Sequence, residues 1–463
     1  MTKTTDAAQR TWAAPRILPL ASTDSLLATS VFFTVFGANF LRNLFGWWGW
    51  AAIVLTLVGF SAAWVIRSGN LRTLARLPKP LLAFIAFAGV SVAWSAWPVE
   101  TGVGTLLLVF TIVGAIPMAL SLSWTGLMGS LSYALRLLVA LSLAFELFVS
   151  IVIRHPVLPL YVDWTTSDKA APMLLWSRNL LFETGKIQGV VGNSSVLAGI
   201  ALLAFIVVAI QVASRALPKR YGIAWLALIG FVLALTQSAT MAIAGTVVTI
   251  VFVLAMLRRV FWKMPKRYFY TAVWAGIAGV GFVAWVFWGS ILQVLGKSDD
   301  LTGRLEIWKG VVRLALEHPI DGWGWIGYWA PWVSPLNTIA SNDGVVQLHA
   351  HNAWADLWMQ VGVVGMMLFL AFAVVAGKRA LTSAVHRVHD DQAGTVGYRA
   401  ITMLPLLLIT VLAVQSFTES RLIVEEGLLL LAVLSIKLRL DPFPSEIGPH
   451  LLSTTSERGA RFV

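Results

Sequence analysis

The chain has 463 residues, of which 58% are apolar and only 12% charged; it contains no cysteine and carries a formal net charge of +12. A mean hydropathy of +0.79 is more apolar surface than a soluble chain can bury, so composition points to an all-α polytopic membrane protein. Disulfides and thiolate-ligated metals are excluded, and the basic residues sit in short connectors rather than in a nucleic-acid-binding patch.

Residues 1–24 form a polar, mildly basic tail with Lys3, Arg10 and Arg16. The first apolar run, Ser25–Leu41, is followed by further runs rather than by a small-residue cleavage site, which predicts a retained helix and not a secretory signal. At about twenty apolar residues per span, residues 25–440 hold about twelve spans. Their centres lie near Phe33, Val54, Phe87, Val113, Phe145, Phe205, Gly230, Thr249, Val280, Phe369, Leu408 and Leu431. The connectors Arg67–Pro80, Ser123–Arg136, Ser214–Gly222, Arg258–Tyr268 and Lys378–Arg399 carry the Lys and Arg residues and fall on one side. By the positive-inside rule that side is cytoplasmic, together with both termini and the tail 441–463, in a plasma (inner) membrane. The alternate connectors then face outward: Arg42–Phe45, Pro98–Gly102, Arg154–Gly189, Gln237–Thr240, a cap over 293–354, and Thr418–Gly427.

The cap dominates the chain. It separates the ninth apolar segment, Thr271–Leu292, from the tenth, Ala355–Ala376. Irregular polar backbone of that length has no partners in hydrocarbon, so it must fold at a membrane face. Leu305, Trp308, Val311, Val312 and Ala315 recur at helical spacing and predict a helix over Gly303–His318, with Thr302 as N-cap and Pro319 as terminator. Asp321–Tyr328 (DGWGWIGY) is too rich in glycine for a helix and reads as a turn where backbone comes close to something. Asn352 is placed to cap the tenth span.

Several side chains here suit chemistry. Arg304, in the first turn of the expected cap helix, offers a guanidinium beside free N–H groups, a setting that attracts phosphate. From spacing alone, a surface arginine paired with Glu306 or a lipid headgroup is the commoner reading. His349 and His351 flank Ala350 just outside the tenth span, where an imidazole can accept a proton or cap a helix. A metal at this H-x-H pair requires further ligands, and with only Asp343 and Asp356 nearby in sequence no metal is expected. Trp323, Trp325, Trp329 and Trp332 suit either stacking on sugar rings or interfacial anchoring. Glu146 lies inside the fifth apolar segment, facing a cavity or satisfied locally. Glu419 and Arg421, at the end of the eleventh, are candidates to line the same cavity.

These residues lie in a recognisable order. TGR-x3-W at Thr302, HP-x2-GWG-x2-GY at His318 and HNAWADLWMQVGVVG at His351 resemble the bacterial O-antigen ligase and O-antigen polymerase superfamily. So do GKIQGVVGNSSVLAG from Gly185 and LTQSATMAIAG from Leu235. The likeness runs from Gly185 to Leu430. It implies transfer of a glycan from a polyprenyl-diphosphate carrier to an acceptor hydroxyl at the extracytoplasmic face, in surface polysaccharide biosynthesis. It implies no metal, no cofactor and no nucleotide sugar. The partners would be the lipid-linked donor, a glycan, lipid or protein acceptor, and membrane lipids, with no nucleic acid. In this resemblance Arg304 holds the diphosphate and His351 orients or deprotonates the acceptor, with His349 and Asn352 beside it. One position departs: Ala239 stands where the family carries an arginine, leaving Lys186, Arg178 or Arg421 as replacement cations. Ligase and polymerase share this donor chemistry and stay undivided.

Three other readings compete. A transporter or flippase needs polar or broken helices near the midplane, and Glu146 is the one clear interior charge in the sequence. A multispan glycosyltransferase with a carboxylate in the first outer loop finds no Asp or Glu in Arg42–Phe45. A structural scaffold is compatible with everything above.

Overall fold

The computed structural model describes residues 22–69, 77–162, 172–183, 185–269, 299–339, 348–390 and 395–443, with isolated positions between them. The ninth apolar centre, near Val280, and most of both tails lie outside the described residues. The described helices are α1 (Thr23–Phe36), α2 (Ala38–Arg67), α3 (Lys79–Val90), α4 (Pro98–Ser121), α5 (Trp124–Phe148) and α6 (Ser194–Ala213). They continue with α7 (Lys219–Thr236), α8 (Ala239–Val260), α9 (Asp299–Glu317), α10 (Ala353–Val385), α11 (Leu404–Gln415) and α12 (Glu425–Leu440). Among the described residues, seven helical segments are long and apolar enough to cross a membrane: α2, α4, α5 with its continuation to Ile153, α6, α7, α8 and α10. The shorter apolar helices Thr23–Phe36, Lys79–Ala93 and Ala400–Gln415 accompany them. Among the described residues the all-α expectation is relieved by two short antiparallel strand pairs, Ser341–Asn342 with Val345–Val346 and Val388–Asp390 with Thr395–Gly397.

Three local expectations are corrected. Arg42–Phe45 is not a loop: those residues are helical, and the chain breaks at Gly46, whose φ of 71° suits glycine. Ser123–Arg136 is not a connector either. The Ser123 side chain accepts the Gly126 N–H at 3.1 Å and starts α5, so Arg136 lies within the helix, over the rings of Tyr221 and Trp225. The cap helix α9 runs from Asp299, so Thr302 is not its N-cap and Arg304 sits in the second turn, past the free N–H groups. Its end at Glu317, just before Pro319, agrees with the sequence.

The two ends of the bundle have different chemistry. At one end Arg259 donates to Ala384 O and to Thr402 Oγ1, each at 2.7 Å, and Lys437 donates to Leu122 O at 2.7 Å. The cap covers the opposite end with a small core of its own. Ile307, Val311, Leu314 and Ala315 of α9 pack there with Ile326, Trp329, Leu336, Ala350 and Met359.

The glycine-rich turn meets a break in α10. Gly362 takes φ 61° and ψ −172°, splitting that helix and freeing backbone groups that must find partners. Trp323 N–H donates to Met359 O at 3.1 Å and Gly324 N–H to Gln360 O at 2.8 Å. In return Val363 N–H reaches Pro319 O at 2.9 Å and Val364 N–H reaches Ile320 O at 3.2 Å. The Gln360 side chain accepts from Ile326 and Gly327 N–H at 3.0 and 2.9 Å and donates to Gly327 O at 2.9 Å. A Cβ on Gly322 would lie 2.5 Å from the Gln360 carbonyl carbon, which explains the glycine. What the turn approaches is therefore the broken helix.

Candidate functional site

Asp356 is the floor of the site. It lies in the first turn of α10, which Asn352 caps by accepting the Trp354 and Ala355 N–H groups at 3.0 and 3.2 Å. The fully buried carboxylate accepts from Trp329 Nε1 at 2.8 Å, Ala350 N–H at 2.9 Å and Gln360 Nε2 at 3.3 Å, and from the Ser420 hydroxyl. One side chain thus joins the cap, the histidine turn, α10 and the segment after α11. A buried carboxylate needs such a set of donors.

Above it stand the histidines. Ala350 is buried, and the flanking His349 and His351 bring their rings together with centroids 4.0 Å apart. His351 takes a left-handed φ of 50°, and its N–H donates to His349 Nδ1 at 3.1 Å. His349 therefore carries its proton on Nε2. Burial, aided by the charge of His351, pushes His349 down to about 3, with Glu419 opposing. Glu419 lies 3.4 Å from His351 Nδ1 through one oxygen and 3.6 Å from Arg304 Nη2 through the other. Burial would raise this carboxyl, but the adjacent His351, then His349 and Arg421, hold it down at about 2. Arg304, His349, His351, Asn352 and Glu419 thus form one constellation from distant parts of the sequence.

A second charged cluster adjoins it. Arg421 contacts Glu426 at 2.9 and 3.1 Å and Glu425 at 3.1 Å. Arg42 reaches the other oxygen of Glu425 at 2.9 Å, and the Tyr328 hydroxyl donates to Glu425 at 3.2 Å. Sequence reasoning missed Arg42, Tyr328, Asp356, Gln360, Glu425 and Glu426 as parts of this region. The available signal was charge at the ends of apolar runs, in LRN around Arg42 and in VEEG around Glu425.

The remaining predicted residues lie elsewhere. Glu146 accepts from Ser177 Oγ at 2.9 Å, Gln188 N–H at 3.0 Å and Gly189 N–H at 2.7 Å. Its carboxylate is satisfied locally by these three donors. Arg178 donates to Pro172 O at 3.2 Å, and Lys186 is exposed on the same loop. Ala239 is the first residue of α8, after the N-cap Ser238. Trp325 is 1% exposed and donates to Gly104 O at 3.2 Å, so neither of its faces is open to a sugar. Trp323 stacks on Trp97 with centroids 5.6 Å apart and donates to Leu314 O at 2.8 Å. Trp332 is exposed and bonds Glu100.

The structure also supplies a third group for the H-x-H pair that sequence spacing did not show. Ligand atoms of His349, His351 and Glu419 lie within 4.8 Å of one another. The donor set fits a cation poorly. His349 Nδ1 is occupied by a backbone N–H, and the guanidiniums of Arg304 and Arg421 act on the same groups. The arrangement is suited instead to an anion next to a proton acceptor.

Among curated proteins no match is found. A family model described as O-antigen ligase matches residues 222–370, the stretch that runs from the first turn of α7 through α8 and the cap to the break in α10. The apolar helices make the chain a multi-pass membrane protein. Over residues 222–370, which carry Arg304, His349 and His351, it is similar to the O-antigen ligase family.

Proposed function

We propose that the protein transfers a glycan from a polyprenyl-diphosphate carrier to an acceptor hydroxyl, at the membrane face covered by the cap and without a metal ion. The observation that carries this reading is the meeting of Arg304 and His351 at one carboxylate. Arg304 is a quarter exposed and sits 3.6 Å from Glu419, so its planar fork can turn to a phosphate. The acceptor oxygen attacks the anomeric carbon while the bond from that carbon to the phosphate oxygen breaks. The bonding pair leaves on the carrier diphosphate, whose charge Arg304 neutralises. The hydroxyl proton passes to His351 Nε2. A diphosphate whose charge is neutralised leaves readily, so positioning and electrostatics supply most of the acceleration.

The family match supports glycan transfer; the carrier, the roles of these residues and the cap's outward face are our reading. The basic end, where Arg259 and Lys437 tie connectors together, would face the cytoplasm of an inner membrane, with about twelve spans in all. Purified chain in nanodiscs, given polyprenyl-linked glycan donor and EDTA, should transfer glycan without a protonmotive force. Transport without transfer, or transfer restored only by one divalent ion, would refute the proposal. The cysteine-free chain also permits a direct orientation test. Glu317→Cys on the cap should react with an impermeant maleimide on intact cells, and Arg220→Cys at the basic end should not.

A further inference from the structure

Glu419 divides its carboxylate between two partners of different kinds. One oxygen is 3.6 Å from the Arg304 guanidinium and the other 3.4 Å from His351 Nδ1. Both exceed the roughly 2.7–2.9 Å of a formed charge-assisted hydrogen bond, whereas Arg421 reaches Glu426 at 2.9 Å. The backbone behind Glu419 is fixed: its N–H donates to Gln415 O at 2.9 Å, and the next residue, Ser420, bonds the buried Asp356. The backbone is thus anchored while both side-chain contacts are long.

From this geometry we infer that Glu419 is a positioning residue with two linked duties, holding the proton of His351 on Nδ1 and occupying Arg304 until a diphosphate replaces it. The inference rests on the reading proposed above. A carboxylate at Nδ1 leaves Nε2 as the acceptor for the hydroxyl proton and balances the imidazolium that forms. The same carboxylate competes with the donor for Arg304, because two anions cannot share one guanidinium without repulsion. When the diphosphate takes Arg304, Glu419 is left to His351 alone. The base is then supported only when a donor is seated, so a water molecule in an empty site meets a less well-ordered imidazole.

The two duties predict opposite responses to loss of the charge. In purified full-length chain, Glu419→Gln should bind undecaprenyl diphosphate severalfold more tightly, read by quenching of tryptophan fluorescence. Its turnover with lipid-linked donor should fall roughly 10²-fold or more, the scale of a misdirected general base. Glu419→Asp keeps the charge and should recover part of the turnover without the gain in binding. In an Arg304→Ala background, Glu419→Gln should no longer tighten binding, since the contested guanidinium is gone. A merely structural glutamate would weaken binding and turnover together, in every background. Unchanged or weaker binding in Glu419→Gln, or wild-type turnover, would overturn the inference. If Arg304→Ala and His351→Ala themselves turn over normally, the proposed reaction site fails instead, and the two failures are distinct.

Discussion

Two charged clusters share the cap end of the bundle and differ in how completely they are satisfied. In the first, Arg42, Arg421, Glu425 and Glu426 make contacts of 2.9–3.1 Å with side chains 9–13% exposed. In the second, Arg304 and His351 meet Glu419 at 3.6 and 3.4 Å with 25% and 22% exposure. The first behaves as structure. Burial alone would lower Arg421, yet Glu426, Tyr328, Glu425 and Glu419 hold it well above the usual arginine value. Pulling such a group out of its pairs leaves an uncompensated buried charge. The second cluster is looser and reachable, which is what admitting a charged substrate requires. Arg421, a sequence candidate for the missing family arginine, is thereby the less suitable cation, although it lies next to the right place.

The strongest way to break this contrast is to remove the proposed chemical groups. His351→Ala should lower glycan transfer by roughly 10²–10⁴-fold, the scale of a lost general base. Arg304→Ala should lower it by roughly 10²–10³-fold, as expected when one preorganised donor to a developing negative charge is lost. Arg304→Lys should keep part of the rate, retaining charge without the fork. None of the three should change the thermal midpoint by much, because their contacts in the resting site are long. Transfer assays on variants matched for membrane level check this. Normal transfer by well-expressed His351→Ala and Arg304→Ala would make the looser cluster no more catalytic than the tighter one.

Arg421→Ala tests the other half. It strips Glu426 of its cation beside Glu425, which keeps Arg42 and the Tyr328 hydroxyl, and breaking a buried pair costs about 3–5 kcal/mol. The expected outcome is loss of folded protein and a lower denaturation midpoint, with residual molecules active in proportion to their amount. A stable Arg421→Ala protein lacking transfer would show that Arg421 serves the substrate, and the contrast would fail.

Much of this was legible in the chain and some was not, for identifiable reasons. Long apolar runs dictate helices, so eleven of the twelve expected centres fall in described helices, seven of them in segments long and apolar enough to cross a membrane. Asn352 as a cap and Pro319 as a stop follow from local hydrogen bonding, and both are where the sequence put them. The one-residue turn at Gly46 was hidden because Arg42–Phe45 is polar enough to read as loop yet helical in place. The start of α9 at Asp299 was missed because Thr302 offers an equally good local cap. Arg304 and His351 were visible as residue types in a motif. Glu419 was also visible, but its partnership with them is a tertiary contact that no spacing rule contains. Asp356 drew notice only as an acidic neighbour in sequence of the H-x-H pair; packing shows it holding four segments.

The smallest effect expected concerns pH, and it sharpens the comparison from the side of His349. In the folded chain this imidazole is held at about 3, first by burial, whereas an unfolded histidine titrates near 6.5. Between those values the unfolded state binds more protons, so stability rises with pH across the window. The contribution is complete above about 6.5 and is lost as pH falls toward about 3, with a slope of at most about 1.4 kcal/mol per unit. Glu419, held at about 2, also loses its contribution on acidification, but below the ordinary carboxylate value of about 4.3. Thermal unfolding between pH 6.5 and 4.5 therefore isolates the histidine from that carboxylate. The groups acting on His349 there are His351, Glu419, Arg421 and Arg304. His349→Asn retains an oxygen able to accept the His351 N–H and cannot take up a proton. Its midpoint should fall less steeply than wild type as pH drops from 6.5 to 4.5, with the two curves parallel above pH 7. Parallel curves throughout would mean that His349 protonates freely in the folded chain, and that the looser cluster is open to water more deeply than its buried imidazole implies.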